Sequence, residues 1–289
     1  MINAKISLAA LQVGTFLISL VLLFRTGPDF FSAAPLEVLE TERNLSTDID
    51  QKSCPDQVEC AKFPDFDALA IKHGTDKHEH GYAPGYQRYL PLAASTVKNR
   101  PIRFLEIGLG CGQSYGPGHS VPLWKDFLPK GAQISILEFD AQCANQWYKD
   151  TDQKDVKLFL GSQDDPVLLR KAVEEAGPFD VIVDDGSHHV KHQRASFENL
   201  FPTLPSGGVY FMEDVQTSYF SWTDGAALEN QKQTALTMVL QIAANLFHGR
   251  PEFQQGSPSP PKDDPVVVKT YDYILSMDIH DTMVIFVRK

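Results

Sequence analysis

From residue 100 onward the chain alternates two hydrophobic patterns. Short, almost unbroken apolar runs occupy 102–107, 134–137, 156–160, 179–183 and 209–212, each bounded by turn residues. Runs of this kind suit parallel strands buried on both faces. Between them, 121–128, 141–149, 166–176 and 190–204 carry the apolar spacing of helices. Asp165 before Pro166 gives the third of these a start signal, an N-cap followed by proline at the first helical position. The alternation predicts an α/β fold, a Rossmann-like, doubly wound and mostly parallel sheet. Beyond it, 228–247 reads as a longer amphipathic helix, 254–264 as a Pro/Ser-rich loop, and 266–273 with 283–288 as two closing strands.

Upstream the pattern changes twice. Residues 66–96 have helical spacing, interrupted by His73-Gly74-Thr75-Asp76-Lys77 and Gly81-Tyr82, and read as a helical cap leading into the sheet. Residues 29–64 are polar and acidic without sustained periodicity, as in a stem or linker. Before them lies 6–24, an apolar run of 19 residues without a charge, flanked by Lys5 and Arg25. That length suits a bilayer-spanning helix, whereas the apolar part of a cleaved signal is about 7–15 residues. The expected organisation is a cytosolic tail and transmembrane anchor over 1–28, an acidic stem over 29–64, and a catalytic domain with its helical cap over 65–289. The acidic flank after the run, with Asp29, Glu37, Glu40 and Glu42, favours a cytosolic N-terminus. This predicts a single-pass membrane protein of the endoplasmic reticulum or Golgi with a luminal domain, secretion after signal cleavage being the alternative. In an oxidising lumen Cys54 and Cys60 could pair, and Asn44-Leu45-Ser46 is a glycosylation sequon.

The chain has 289 residues, 43% of them hydrophobic, enough for one good core plus an appendage. With 26 basic against 37 acidic residues its formal charge is -11, which opposes the field of nucleic acid. A small-molecule partner is expected, and no nucleic acid.

The first strand runs into Glu106-Ile107-Gly108-Leu109-Gly110-Cys111-Gly112. Glycines let a chain turn sharply from strand to helix and approach a ligand closely. Position 113 is Gln, so the nicotinamide and flavin fingerprint Gly-x-Gly-x-x-Gly fails. Glu106, two positions before Gly108, with Gly108, Gly110 and Gly112, matches the pattern of an S-adenosylmethionine loop. The second strand ends in Glu138, where a carboxylate can accept ribose hydroxyls. The third ends in Gly161-Ser162-Gln163-Asp164, so Ser162 and Gln163 fall at the level of an adenine ring. All three elements sit at carboxyl ends of strands, where open α/β sheets bind ligands.

The fourth strand runs into Asp184-Asp185-Gly186-Ser187-His188, and the fifth, after Pro205-Ser206-Gly207-Gly208, into Glu213-Asp214. Parallel neighbours bring these ends about 4.8 Å apart. Carboxylates gathered so closely repel one another unless protonated or neutralised by a cation. Oxygen ligands select a hard ion, Mg²⁺ or Ca²⁺. Because successive strand side chains face opposite ways, Asp185, Glu213 and Asp214 are assigned to the ion and Asp184 lies nearer the cofactor. His188 is then placed to remove a hydroxyl proton, its ordinary pKa being about 6.5.

Val183-Asp184-Asp185-Gly186-Ser187-His188 followed by Met212-Glu213-Asp214-Val215-Gln216-Thr217-Ser218-Tyr219 resembles the metal-dependent sugar O-methyltransferases of macrolide biosynthesis, the macrocin and mycinamicin type. It is also similar to the related cephalosporin hydroxylase family. The likeness covers roughly 66–289. It implies magnesium on Asp185, Glu213 and Asp214 and a base at His188. Gly74-Thr75-Asp76-Lys77 looks like the family's segment that closes over the cofactor, which adds Thr75 to the cofactor residues. Trp124 sits in a similar helix after the glycine loop. Glu138 stands where aspartate is usual, and the apolar run and stem over 1–64 have no counterpart, so the family's macrolide substrates do not carry over. The implied activity is transfer of a methyl group from S-adenosylmethionine, assisted by Mg²⁺, to a hydroxyl of a sugar-like or natural-product molecule. The alternatives are a non-methylating hydroxylase accessory protein and a membrane-tethered interaction module.

Overall fold

The structure, a computed structural model, describes residues 63–227, 230, 232–248 and 264–289. Five of the apolar runs become β1 (Arg103–Ile107), β2 (Gln133–Glu138), β3 (Lys157–Leu160), β4 (Val181–Asp184) and β5 (Val209–Met212). They pair in parallel, and β6 (Ile274–His280) and β7 (Met283–Arg288) complete a seven-stranded sheet of order β3-β2-β1-β4-β5-β7-β6. The last two strands run antiparallel, β7 against β5 and β6 against β7.

Every residue of β4 and β5 is buried, because helices cover both faces of the sheet. One face carries α1 (Phe66–His73), α2 (Ala83–Thr96), α3 (Ser120–Phe127) and α4 (Ala141–Asp150). Phe66, Tyr86, Trp124, Phe104 and Phe211 pack together there, with the Tyr86 ring stacked 4.7 Å from Phe66 and 4.6 Å from Phe211. The other face carries α5 (Pro166–Ala176), α6 (Val190–Leu200), α7 (Ala235–His248) and α8 (Pro265–Thr270). Strand parity sorts the residues: Val181 and Val183 join the first core, Ile182 and Tyr210 the second.

Local signals explain several ends. Asp65 caps α1 by accepting from the Ala68 amide at 3.0 Å, and Gly74 ends it in the left-handed region at φ 66, where glycine carries no Cβ penalty. Thr75 then caps a 3₁₀ turn, Asp76–His78. The helix expected over 190–204 stops at Leu200 and tightens into a 3₁₀ turn, Phe201–Thr203.

One expected element is wrong in kind. Residues 266–273 form α8 and a 3₁₀ turn, Tyr271–Tyr273, and the strand begins only at Ile274. The run of valines suggests a strand, but Asp264 accepts from the Val266 amide at 2.9 Å and Pro265 occupies the first helical position. This is the start signal of α5 repeated, and it overrides β-branched propensity.

A disulfide unforeseen in the sequence joins Cys111, between two loop glycines, to Cys143 in the first turn of α4, with a Cα–Cα distance of 6.0 Å. No helix among the described residues is long and apolar enough to cross a membrane. The apolar run over 6–24, the sequon at Asn44, and Cys54 and Cys60 lie outside the described residues.

Candidate functional site

The carboxyl ends of β1, β2, β3, β4 and β5 open onto a cavity of about 440 Å³. Gly108, Gly110 and Gly112 form one wall, Glu138, Ser162 and Gln163 another, and Asp185, His188, Glu213 and Asp214 a third. Gly108 has φ +101, and a Cβ there would lie 2.1 Å from the Asp185 carbonyl oxygen. That contact lets the β1 turn pass directly over the β4 loop. At Gly112 a Cβ would meet nothing within 4 Å, so this part of the wall is bare backbone.

Glu138 braces the glycine loop. Its Oε2 accepts from the Leu109 amide and its Oε1 from the Asp140 amide, both at 2.8 Å. Each oxygen keeps a further lone pair for a ligand. Gln163 ties the third and fourth strand ends together: its Oε1 accepts from the Ser187 amide at 2.8 Å and its Nε2 donates to Asp184 at 2.9 Å.

Asp184 does not reach the cavity, contrary to the sequence expectation. It is fully buried and accepts from Gln163, from Ser196 at 2.5 Å and from Tyr210 at 2.6 Å. Burial pushes its pKa up against these bonds. Parity is the reason: as the last residue of β4 it shares the face of Ile182, while Asp185 lies beyond the strand and turns to the ligand side. Thr75 and Glu106 are also buried. They line a smaller cleft that shares Gly108, Gly110 and Asp185 with the cavity. Glu106 accepts from the Ser120 hydroxyl at 2.7 Å, and burial pushes its pKa up to about 7.

Asp185, His188 and Asp214 each offer one ligand atom, all within 4.8 Å of one another. His188 Nε2 lies 3.3 Å from Asp214 Oδ2 and 3.8 Å from Asp185 Oδ1. His188 and Asp214 both adopt left-handed backbone, at φ 56 and φ 57, an uncommon state for non-glycine residues that clusters at functional sites. Asp214 Oδ1 accepts from Tyr82 at 2.9 Å and from Gln216 at 2.7 Å. Burial opposes the Asp214 carboxylate, but His188, Gln216 and Tyr82 more than offset it and hold its pKa below the ordinary value. The two carboxylates on the cavity fit a hard divalent ion, which takes one or two protein carboxylates and keeps waters, and the imidazole beside them stays free.

Glu213 also lines the cavity, but its oxygens are engaged behind it, by Lys77 and by the Tyr86 hydroxyl. Burial, then the Asp185 charge, pushes its pKa well up. The sequence places residues 82–89 along the acceptor's side of the site; the contacts of Tyr82 with Asp214, and of Lys77 and Tyr86 with Glu213, are what it does not foretell. Lys77 sits in the quoted Gly74–Lys77 segment, and Tyr82 and Tyr86 are spaced four apart, on one side of a helix.

No protein-family model matches the sequence. Among curated proteins the chain is 37% identical over 195 residues to L-olivosyl-oleandolide 3-O-methyltransferase of Streptomyces antibioticus, covering 65% of this chain and 48% of that protein. It is 32% identical over 190 residues to demethylmacrocin O-methyltransferase of Streptomyces fradiae, covering 64% and 45%. Among solved structures it is similar to the MycE methyltransferase of the mycinamycin biosynthetic pathway in complex with Mg, SAH and mycinamycin VI. That match has TM-score 0.62 and 27% identity, and covers 78% of this chain and 54% of that one. The chain thus spans about half the length of the curated relatives it matches. The fold is that of a Rossmann-like class I methyltransferase. The expectation of a single-pass protein of the endoplasmic reticulum or Golgi is corrected by these relatives. They belong to Streptomyces, bacteria that have neither compartment.

Proposed function

We propose that this chain, a homologue of the macrocin- and mycinamicin-type sugar O-methyltransferases, is itself an S-adenosylmethionine-dependent, magnesium-assisted O-methyltransferase. Its acceptor is a hydroxyl of a sugar-like or natural-product small molecule. One observation carries the reading: Asp185, His188 and Asp214 converge on the same cavity that the glycine loop walls. A carboxylate–imidazole cluster has no evident task in a site that only binds a nucleoside, and suits one where a hydroxyl must lose a proton.

S-adenosylmethionine, when bound, supplies a methyl group activated on a sulfonium. Gly108, Gly110 and Gly112 admit it against bare backbone, Glu138 offers its free lone pairs to the ribose, and Ser162 and Gln163 lie at the adenine level. Glu106 and Thr75 shape the inner end, where the cap meets the loop. Magnesium, when bound, supplies a positive centre that lowers the pKa of a coordinated hydroxyl. Asp185 and Asp214 would hold it, with Glu213 behind them. His188 Nε2, 3.3 Å from Asp214 Oδ2, takes the hydroxyl proton. Tyr82 and Gln216 fix the Asp214 carboxylate, so the base and its partner stay aligned. In this reading 65–289 is the methyltransferase domain and 66–96 its cap.

Labelled S-adenosylmethionine offered with a panel of deoxysugar glycosides tests this. His188→Ala should keep S-adenosylhomocysteine binding and lose turnover by about 10²–10⁴-fold, the usual worth of a positioned base. Excess EDTA should stop transfer without weakening S-adenosylhomocysteine binding. Transfer that continues unchanged in EDTA would remove the metal from the mechanism.

A further inference from the structure

Three aromatic side chains close together in the chain stand out in the solvent. Tyr219, Phe220 and Trp222 are 47%, 41% and 62% exposed, whereas Trp124 and Trp147 are 0% and 7% exposed. Tryptophan is highly buried on average, and a contiguous exposed apolar patch marks a binding surface. The patch adjoins the cavity through His189, which lines it. The Trp222 ring stands nearly perpendicular to that imidazole, centroids 6.4 Å apart, and the Phe220 ring lies 6.0 Å from Trp222, tilted by 30°.

The exposure is built into the backbone. A short 3₁₀ turn, Ser221–Thr223, carries Trp222 and ends at Asp224 in the left-handed region, φ 64. Buried Thr223 donates to the carbonyls of Thr217 and Phe220 at 2.6 and 2.7 Å. The Gly225 amide donates to the Phe220 carbonyl at 2.9 Å and the Ala226 amide to that of Ser218 at 3.0 Å. A Cβ at Gly225 would lie 2.3 Å from the Ser218 oxygen, so only glycine lets the chain double back this closely. The same segment grips the base: Thr217 Oγ1 donates to the carbonyl of His188 at 3.1 Å. Aromatic patch and base thus share one frame.

The charges of the cavity say what such a surface would meet. Among the described residues its wall holds Asp76, Glu138, Asp185, Glu213 and Asp214 but no lysine or arginine. A phosphate or carboxylate on the acceptor finds no cationic side chain there, so a neutral ring is favoured. A pyranose presents a face of C–H groups, and the negative face of an aromatic ring is complementary to it. We propose, on the basis of the methyltransferase reading above, that Trp222, with Phe220 beside it, is the stacking platform for a neutral pyranose ring of the acceptor, and so a specificity-determining residue. The sugar rests its C–H face on the indole and offers a hydroxyl toward His188.

Trp222 is the exposed one of three tryptophans, so the intrinsic fluorescence of the full chain reports on it directly. Methyl α-L-rhamnoside, a neutral deoxysugar glycoside, is titrated with S-adenosylhomocysteine present. The emission should shift to shorter wavelength and saturate. Trp222→Leu should lose that response and keep the circular dichroism of the wild type, since the residue belongs to neither core. In transfer assays Trp222→Leu should raise KM for the glycoside about 3–10-fold, the effect of one aromatic contact, with kcat little changed, and Trp222→Phe should recover most of the loss. A saturable shift that Trp222→Leu retains would overturn the proposal, as would a fall in kcat with KM unmoved. An emission that ignores the glycoside would overturn it too, and one that then moves on dilution would assign the patch to a second copy of the chain. Trp222-dependent binding without methyl transfer would leave the platform standing and reject the methyltransferase reading; transfer at an unchanged KM in Trp222→Leu would do the reverse.

Discussion

Glu106 and Asp184 are both acids near the end of a strand, and the fold treats them differently from what their place in the sequence suggests. Glu106 keeps a carboxyl whose pKa burial pushes from 4.5 up to about 7, against the pull of Lys77 and Ser120. A carboxyl raised in the folded state favours the protonated fold, so its stabilising effect is complete below the unfolded value and is lost as pH rises through the folded one. The ligand-free protein should therefore lose stability relative to Glu106→Gln between about pH 4.5 and 7, and run parallel to it above that window. Denaturant midpoints at several pH values check this, and parallel curves throughout would mean that Glu106 is not buried as an acid. Strand parity separates Asp184 from Asp185 but does not say what covers its face; there Ser196 and Tyr210 donate to it, and it stitches β4 to α6. Asp185, one step further, was legible because the loop frees it from that alternation.

At the scale of elements, β1 to β5 were readable because strands buried on both faces admit almost nothing polar, and α5 because Asp165 and Pro166 announce it. The valines of α8 suggest a strand, and the same signal at Asp264 and Pro265 makes them a helix. Asp264 does two jobs there: it caps α8 and forms a two-pronged pair with Arg194 at 2.6 and 2.8 Å, both side chains buried. Asp264→Ala should cost roughly 3–5 kcal/mol, the usual penalty when one member of a buried pair is removed. Asp264→Asn, which keeps the cap, should cost less. Chemical denaturation measures both, and equal losses would mean that the cap contributes little. The site divides along the same line. Its glycine loop and acidic doublets come from consecutive strand ends and show in the sequence. Lys77, Tyr82 and Tyr86 come from the cap, and although the Gly74–Lys77 segment resembles one that closes over the cofactor, no spacing in the chain pairs these side chains with the acids at the β4 and β5 ends.

For the whole molecule the relevant fact is that a single cavity receives contributions from both halves of the sheet and from the cap, while the matched segment covers only about half of each relative. Within the core the Cys111–Cys143 bond is the one covalent tie among the described residues between the glycine loop and the helix after β2. A chain folded with a dithiol reductant and one folded in air share every residue and differ by two hydrogen atoms. In the reduced chain the loop rests on Glu138 and its own turns, and removing such a link commonly costs about 2–5 kcal/mol. Calorimetry should find that S-adenosylhomocysteine binds the dithiol form more weakly and that reoxidation restores it; equal affinities would show the loop to be held without the bridge. On the first outcome the history of a preparation is written into its cavity, and two laboratories expressing one gene under different conditions would be assaying two different proteins.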